Sequence, residues 1–160
     1  MITTRTARAE DEAALAKIDE RTWTPAVSPA PAPPAGTPFF GDDTRPEDLL
    51  VAEQDGVVAG YVRLGEGFGI PAHRHVVVID GLAVDPDRQR LGIAGQLVDA
   101  AVAEARRRGA RKVTLRVLGP NTGARRVYER CGFVVEGVLR GEFRIDGRDV
   151  DDILMARPLA

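Results

Sequence analysis

The stretch DRQRLGIAGQLVDAA at residues 87–101 places two glycines and an alanine where a helix begins. Before it, HVVVIDGLAV at residues 75–84 is a β-branched run that ends in DPDR, which predicts a strand followed by a turn. After it, apolar residues at helical spacing predict a helix over residues 92–108, closed by Gly109. Glycine weakens a helix by roughly 1 kcal/mol relative to alanine, so the two glycines at the helix start need a reason.

A phosphate-binding helix start gives that reason. The first turn of a helix has backbone N–H groups without partners and the positive end of the helix dipole, where an anion can bind. Gly92, Ala94 and Gly95 have little or no side chain, so a pyrophosphate could approach the backbone closely, and Arg88 and Arg90 add positive charge. The alternative is that small residues only let the helix pack on a sheet. The run QRLGIA between a strand and a helix favours the anion site.

The remaining periodicity predicts a mixed α/β (α+β) chain with one central, mostly antiparallel sheet and one domain over residues 1–160. Strands are predicted at 2–6, 49–54, 57–67 and 111–117, and helices within 9–23 and 121–133. Asp55-Gly56 predicts a hairpin turn, and Asp146-Gly147 predicts the turn of a long C-terminal hairpin.

Six prolines between Pro25 and Pro38 exclude a helix interior or a central strand there. Two interpretations of residues 24–38 remain open: a solvated surface insertion, or a lid over an acceptor site, since long loops in compact domains are often functional. Phe39 and Phe40 at its end are expected to anchor it to the body of the protein.

Composition narrows the functional classes. A net charge of −2 over 160 residues gives no reason to expect a nucleic-acid partner. No apolar run is long enough for a membrane span, and the N-terminus lacks the apolar core of a signal peptide, so a cytoplasmic protein is expected. Cys131 is the single cysteine, and the two histidines lack ligands at metal-binding spacing, so no disulfide and no metal are expected.

Two motifs resemble the GNAT acetyltransferase superfamily. QRLGIA at residues 89–94 matches its (Gln/Arg)-x-x-Gly-x-(Gly/Ala) signature, and NTGARRVYERCGF at residues 121–133 is similar to its Asn-x-x-Ala…Tyr…Gly-Phe helix. ITTRTARAEDEAALAKI at residues 2–18 looks like its first strand and helix. The resemblance covers nearly the whole chain except the proline-rich loop, and it is closest to the amino-acid or small-amine branch and the ribosomal-protein N-acetyltransferase branch.

The resemblance implies a twisted sheet that splays between two neighbouring strands, with helices on both faces, and acetyl-CoA as the cofactor without a metal. It implies that the backbone of Leu82, Ala83 and Val84 binds the pantetheine arm. The remaining cofactor-binding residues that it implies are Gln89, Arg90, Leu91, Gly92, Ile93, Ala94 and Gly95 around the pyrophosphate, together with Asn121 and Tyr128.

The resemblance also implies catalytic roles. Tyr128 would protonate the departing thiolate, and Asn121, two helical turns earlier, would orient the site. From the residues alone, Tyr128 could instead fill the core and Asn121 could cap its helix. Asp80 interrupts an apolar run and is our candidate for the general base. Where some protein-acetylating relatives carry a glutamate, this chain has Arg116.

Two further candidates for the base are His73 and His75, whose alternative is a place on a loop surface. The acidic Glu142, Asp149 and Asp151 of the last hairpin could bind a cationic substrate or be solvated.

The predicted function is acetyl-CoA-dependent transfer of an acetyl group to a primary amine by direct attack in a ternary complex. The expected partner is a small-molecule amine, such as a free amino acid, with no nucleic acid and no membrane. The alternatives are a protein N-terminal or lysine acetyltransferase and a non-catalytic acyl-CoA-binding module. A homodimer is left open.

Overall fold

The structure is a computed structural model and describes residues 1–159. The strands are β1 (Ile2–Thr6), β2 (Leu49–Gln54), β3 (Val57–Gly65), β4 (Val76–Val84), β5 (Lys112–Leu118), β6 (Val134–Ile145) and β7 (Arg148–Pro158). The α-helices are α1 (Glu12–Thr22), α2 (Ile93–Arg107) and α3 (Thr122–Arg130). The predicted strands and helices are therefore present, with ends displaced by a few residues. In this part of the chain no helix is long and apolar enough to cross a membrane.

The strands of residues 1–159 form one sheet in the order β1-β2-β3-β4-β5-β7-β6. Each neighbouring pair is antiparallel except β4 and β5, which are parallel. A parallel pair needs a crossover connection, and α2 provides it between β4 and β5. The predicted mixed α/β fold with a mostly antiparallel sheet is confirmed.

The two faces of the sheet carry different helices. On one face, Leu97, Val98 and Val102 of α2 are buried in a core that includes Leu115 and Met155. On the other face, Leu15 and Ile18 of α1 form a smaller core with Leu49, Val51 and Tyr61. Alternate residues of β2 and β3 enter the two cores because neighbouring side chains of a strand point to opposite faces. The sheet is thus enclosed on both sides, as predicted.

Both predicted hairpin turns form for a local reason. Asp55 and Gly56 have φ of 53° and 82°, and Asp146 and Gly147 have φ of 51° and 75°. Two consecutive positive φ angles define the type I′ turn, whose twist matches that of the flanking strands, and Asp-Gly is a favoured sequence for it.

β4 and β5 separate partway along their length. Their pairing covers only Val76–Ile79 and Lys112–Leu115, although β4 continues to Val84 and β5 to Leu118. Beyond this point β4 stays paired with β3 and β5 stays paired with β7, so both strands remain ordered while they diverge. The predicted splay of the sheet is confirmed.

A β-bulge lies at the same level of the sheet. Gly81 is opposite Arg63 of β3, but Ile79 is opposite Leu64, which leaves Asp80 as the extra residue of β4. A bulge bends its strand and redirects the side chain of the extra residue. No pattern in the sequence predicted this bulge.

Candidate active site

The divergence of β4 and β5 opens a cavity of about 1200 Å³. Its walls are formed by the end of α1, the start of the proline-rich loop, the second half of β4, the first turn of α2, and α3. The predicted site residues that line it are Asp80, Leu82, Ala83, Val84, Gln89, Arg90, Gly92, Ile93, Ala94, Gly95, Asn121 and Tyr128. Leu91 does not line the cavity and is 51% exposed. The two sequence motifs, on separate helices, therefore meet at one cavity.

The start of α2 is open toward this cavity. Gly92 precedes the helix with a left-handed φ of 80°, and Arg90 also has a positive φ of 66°. A Cβ added at Gly92 or Gly95 would meet no atom within 4 Å among the described residues. The first-turn backbone thus faces open space, as an anion-binding helix start requires.

The exposed edge of β4 forms the neighbouring wall. Leu82, Ala83 and Val84 pair with β3 on one side, while their other edge faces the gap left by β5. Backbone N–H and C=O groups at such an edge are available to an extended ligand, as they are to an added strand.

Asn121 caps α3, because its Oδ1 accepts a hydrogen bond from the backbone N–H of Ala124 at 3.3 Å. The cap uses the amide oxygen and leaves the amide nitrogen for the cavity that Asn121 lines. The capping interpretation is confirmed, and it is compatible with a second role in binding a ligand.

Tyr128 is buried, with its ring centroid 6.0 Å from that of Phe133 in the core, and it also lines the cavity. Burial, and to a smaller extent Cys131, raises the pKa of Tyr128 to about 12. Its hydroxyl therefore keeps a proton throughout the physiological pH range. Tyr128 therefore packs in the core and also lines the cavity.

Asp80 stands on the bulge at the root of the split, and burial raises the pKa of its carboxyl group. Arg63 opposes this shift, with its Nε 3.6 Å from Asp80 Oδ1. Arg63 also donates from Nη2 to the backbone carbonyl of Asp43. Arg63 was not predicted from the sequence, although its place in the strand opposite Asp80 could have been found from the register of β3 and β4.

The two histidines do not reach the cavity. The Nδ1 atom of His73 lies 3.4 Å from the carbonyl oxygen of Glu66, and its ring packs edge-to-face on Phe68. His75 is exposed, at the far end of β4. Of the candidate bases, Asp80 alone among the described residues lines the cavity. Within residues 1–159 no group of three or more His, Cys, Asp or Glu side chains is placed to hold a metal ion.

Arg116 lines the cavity from β5. Its Nε lies 2.5 Å from Oδ2 of Asp152, which is only 3% exposed, and its Nη2 lies 3.6 Å from Glu142. The other acidic candidates have local partners: Asp149 pairs with Arg144, and Asp151 accepts a hydrogen bond from the backbone of residue 141. Asp152 was missed, although a charge directly beside the buried run ILMA was a usable signal.

The proline-rich loop is anchored to the body of the protein at its C-terminal end and borders the cavity at its start. The backbone N–H groups of Phe39 and Phe40 donate to the carboxylate of Glu12 at 2.7 and 2.9 Å, and the Phe39 ring packs edge-to-face on Tyr61. The predicted anchoring by the two phenylalanines is confirmed. At the other end, Thr24, Val27, Ser28 and Pro29 line the cavity, whereas residues 31–38 are exposed and do not line it.

The chain is similar in sequence to curated acyltransferases. Over 80 residues the chain is 36% identical to the [ribosomal protein bS18]-alanine N-acetyltransferase of Escherichia coli (strain K12), covering 49% of this chain and 53% of that protein. Over 87 residues it is 31% identical to the L-amino acid N-acyltransferase MnaT of the same strain, covering 54% and 50%. The chain thus spans about half the length of these curated relatives.

The fold is also that of a solved acetyltransferase. The phosphinothricin acetyltransferase of Sinorhizobium meliloti, crystallised in complex with AcCoA, superposes with a TM-score of 0.83 at 22% identity, covering 99% of this chain and 89% of that one. The acetyltransferase (GNAT) family model matches residues 13–133, which include both motifs and the whole split of the sheet. The chain therefore belongs to the acetyltransferase (GNAT) family.

Proposed function

We propose that this protein is an acetyl-CoA-dependent N-acetyltransferase that acts on a primary amine, with a free amino acid or another small amine as acceptor. The observation that carries the proposal is the meeting of three features at one cavity. These are the unpaired edge of β4, the open first turn of α2, and the Tyr128 hydroxyl. Together they suit a ligand with an extended arm, a pyrophosphate and a thiol leaving group.

Acetyl-CoA fits the residues that are present. The space in front of Gly92 and Gly95 suits a pyrophosphate, and Arg88, Arg90 and Arg130 line the same cavity with positive charge. The edge of β4 from Leu82 to Val84 suits the amide groups of a pantetheine arm. When bound, the cofactor supplies an acetyl group activated as a thioester.

We assign proton transfer to two residues that line the cavity. Tyr128 keeps its proton to high pH and is our acid for the departing sulfur. Asp80 is our base for the attacking amine: freeing an amine with a pKa near 10.4 costs roughly 4–5 kcal/mol at neutral pH, and an α-amino group near pKa 8 costs less. Asn121 is proposed to orient the site through its free amide nitrogen.

The start of the proline-rich loop bears on the size of the acceptor. Val27, Ser28 and Pro29 line the cavity, and we propose that this part of the loop is a lid that narrows the acceptor side. A narrow acceptor side favours a small amine over a peptide. The relatives divide on this point, since one is named for a ribosomal protein and another for L-amino acids.

A turnover assay tests the proposal. Release of free thiol from acetyl-CoA is measured with L-amino acids, polyamines and peptides with free N-termini, and each product is identified by mass. Transfer to free amino acids or small amines supports the proposal. Transfer confined to peptides would support a protein acetyltransferase instead. Tight acetyl-CoA binding without transfer to any amine would indicate a non-catalytic module.

A further inference from the structure

Two side chains of opposite charge lie at the point where the pairing of β4 and β5 ends. Ile79 and Leu115 form the last paired position between β4 and β5, and the next residues along the two strands are Asp80 and Arg116. Both line the cavity, and both side chains are partly exposed there. Neighbouring strands lie about 4.8 Å apart where they pair, so the two charges start from adjacent positions.

Each of these charges is held by a different partner rather than by the other. Asp80 lies 3.6 Å from Nε of Arg63 on β3, and Arg116 Nε lies 2.5 Å from Asp152 on β7. Asp152 is 3% exposed, so its carboxylate fixes the guanidinium from the buried side. The Arg116 side chain remains 55% exposed, and within residues 1–159 its Nη1 atom makes no hydrogen bond.

We propose that Arg116 binds the carboxylate of the acceptor, and that the acceptor is an α-amino acid whose amino group is directed toward Asp80. This inference rests on the proposed function. An α-amino acid carries its positive and negative groups on either side of one carbon, which matches two opposite charges on adjacent strands. A guanidinium recognises a carboxylate through paired N–H donors, and the buried Asp152 holds it in position for that contact.

Glu142 provides the contrary argument. It lies 3.6 Å from Arg116 and would add negative charge, which would favour a polycationic acceptor. Its side chain is 43% exposed, and an ion pair at that distance in contact with solvent is weak. A carboxylate on the acceptor would compete with Glu142 for the same guanidinium. Preference for a polyamine is therefore the outcome that opposes our proposal.

The experiment compares each L-amino acid with its own α-carboxamide, which has the same side chain and amino group but no negative charge. Turnover with acetyl-CoA gives kcat and KM for both members of each pair. Calorimetry with the CoA-saturated protein gives the dissociation constant of the same molecules without any reaction. We expect the wild-type protein to prefer the acid by at least about 10-fold in kcat/KM and in affinity.

Three variants test whether Arg116 causes the preference for the acid over the carboxamide. Arg116→Met with Asp152→Asn removes the guanidinium without leaving a buried carboxylate unpaired. Arg116→Lys keeps the charge but loses the paired donors. Arg107→Met is the matched control, because Arg107 is an ion-paired arginine at the far end of α2 and outside the cavity.

In the double variant, KM for the acid should rise about 10- to 100-fold, while KM for the amide and the affinity for acetyl-CoA change little. The lysine variant should retain part of the preference, and the control should retain all of it. Equal use of acids and amides by the wild type, better use of spermidine than of any amino acid, or equal losses for acid and amide in the variants would each overturn the inference.

The proposed function and this inference fail in different ways. If the wild type transfers acetyl groups to amines but ignores the carboxylate, only the role of Arg116 is wrong. If the wild type transfers acetyl to no amine, both are wrong. If the double variant does not fold, the acid-to-amide preference of the wild type and its partial loss in Arg116→Lys decide the question.

Discussion

The carboxylate of Asp80 lies directly over Gly65: a Cβ built on Gly65 would be 2.6 Å from Oδ2 of Asp80. A non-bonded carbon and oxygen do not approach this closely, so the Asp80 carboxylate would have to move. Gly65 ends β3 opposite Val78, next to the bulge that carries Asp80. The absence of a side chain at residue 65 therefore determines where the proposed base can lie.

We predict that Gly65→Ala lowers kcat about 10-fold although no catalytic group is removed, because the methyl group displaces the Asp80 carboxylate. Acetyl-CoA affinity should stay unchanged. Gly137→Ala is the control, since its Cβ would meet only Leu154 Cδ1, at an ordinary 3.8 Å. Steady-state kinetics of both variants check this, and equal rates for them would mean that the position of Asp80 does not limit turnover.

Asp80→Asn should lower kcat/KM at neutral pH by about 10²-fold, and the defect should shrink toward pH 9 as the free amine becomes available without a base. Asp149→Asn, which disrupts an exposed ion pair with Arg144, should have no such effect. Rate profiles from pH 6 to 9.5 measure both. A defect that is constant across this range would assign Asp80 an electrostatic rather than a proton-accepting role.

Asp80→Asn should also change the stability of the fold. The raised pKa of Asp80 means that the folded protein binds this proton more tightly than the unfolded chain does. The stability gained from that proton is present below the unfolded pKa and is lost as the pH rises through the folded value. At neutral pH the ionised carboxylate is therefore slightly unfavourable, because its side chain is 40% exposed and solvent screens most of the cost. Asp80→Asn should raise the melting temperature by a small amount. An equal or lower melting temperature would show that the contact with Arg63 outweighs burial.

Tyr128→Phe keeps the ring beside Phe133 and removes only the hydroxyl group. Turnover should fall by roughly 10²–10⁴-fold if the hydroxyl is the acid, with little change in acetyl-CoA affinity or melting temperature. Since burial raises the pKa of Tyr128 to about 12, this residue should cause no alkaline loss of wild-type activity below about pH 10. A normal rate in the variant, with the chemical step limiting, would remove Tyr128 from the mechanism.

Gly92 and Gly109 flank α2 with nearly the same left-handed φ, 80° and 83°, and a Cβ at either would meet no described atom within 4 Å. Asparagine tolerates this conformation, so it adds a side chain at either place with modest strain. We predict that Gly92→Asn weakens acetyl-CoA binding at least about 10-fold, by obstructing the phosphate site, and that Gly109→Asn does not. Calorimetric titration measures the acetyl-CoA affinity of both variants. Equal affinities would show that the phosphates do not bind at the start of α2.

The proposed lid is tested within its own loop. Both Val27 and Ala35 are exposed, but only Val27 lines the cavity. Val27→Glu should raise the acceptor KM several-fold and leave the affinity for acetyl-CoA nearly unchanged, while Ala35→Glu should change neither. Unchanged kinetics in both variants for every active acceptor would show that the loop is a solvated surface insertion and not a lid.

Local physics explains what the sequence could predict. Asp-Gly pairs specify the type I′ turns at residues 55–56 and 146–147, and the spacing of apolar residues specifies α2. The glycines at residues 92 and 95 and the small side chain of Ala94 are sufficient to indicate an open helix start. These features depend on residues close together in the chain, so the sequence by itself determined them.

The tertiary structure decided which charges meet. Asp80 was one of several candidate bases until the bulge and the split placed it on the cavity and left His73 outside it, on the loop between β3 and β4. Arg116 and Asp152 are 36 residues apart and pair only because β7 lies beside β5. Strand order and register are set by the packing of the whole sheet between its two cores. No local sequence pattern encodes them, and so the side chains that line the proposed acceptor site could be identified only in the folded chain.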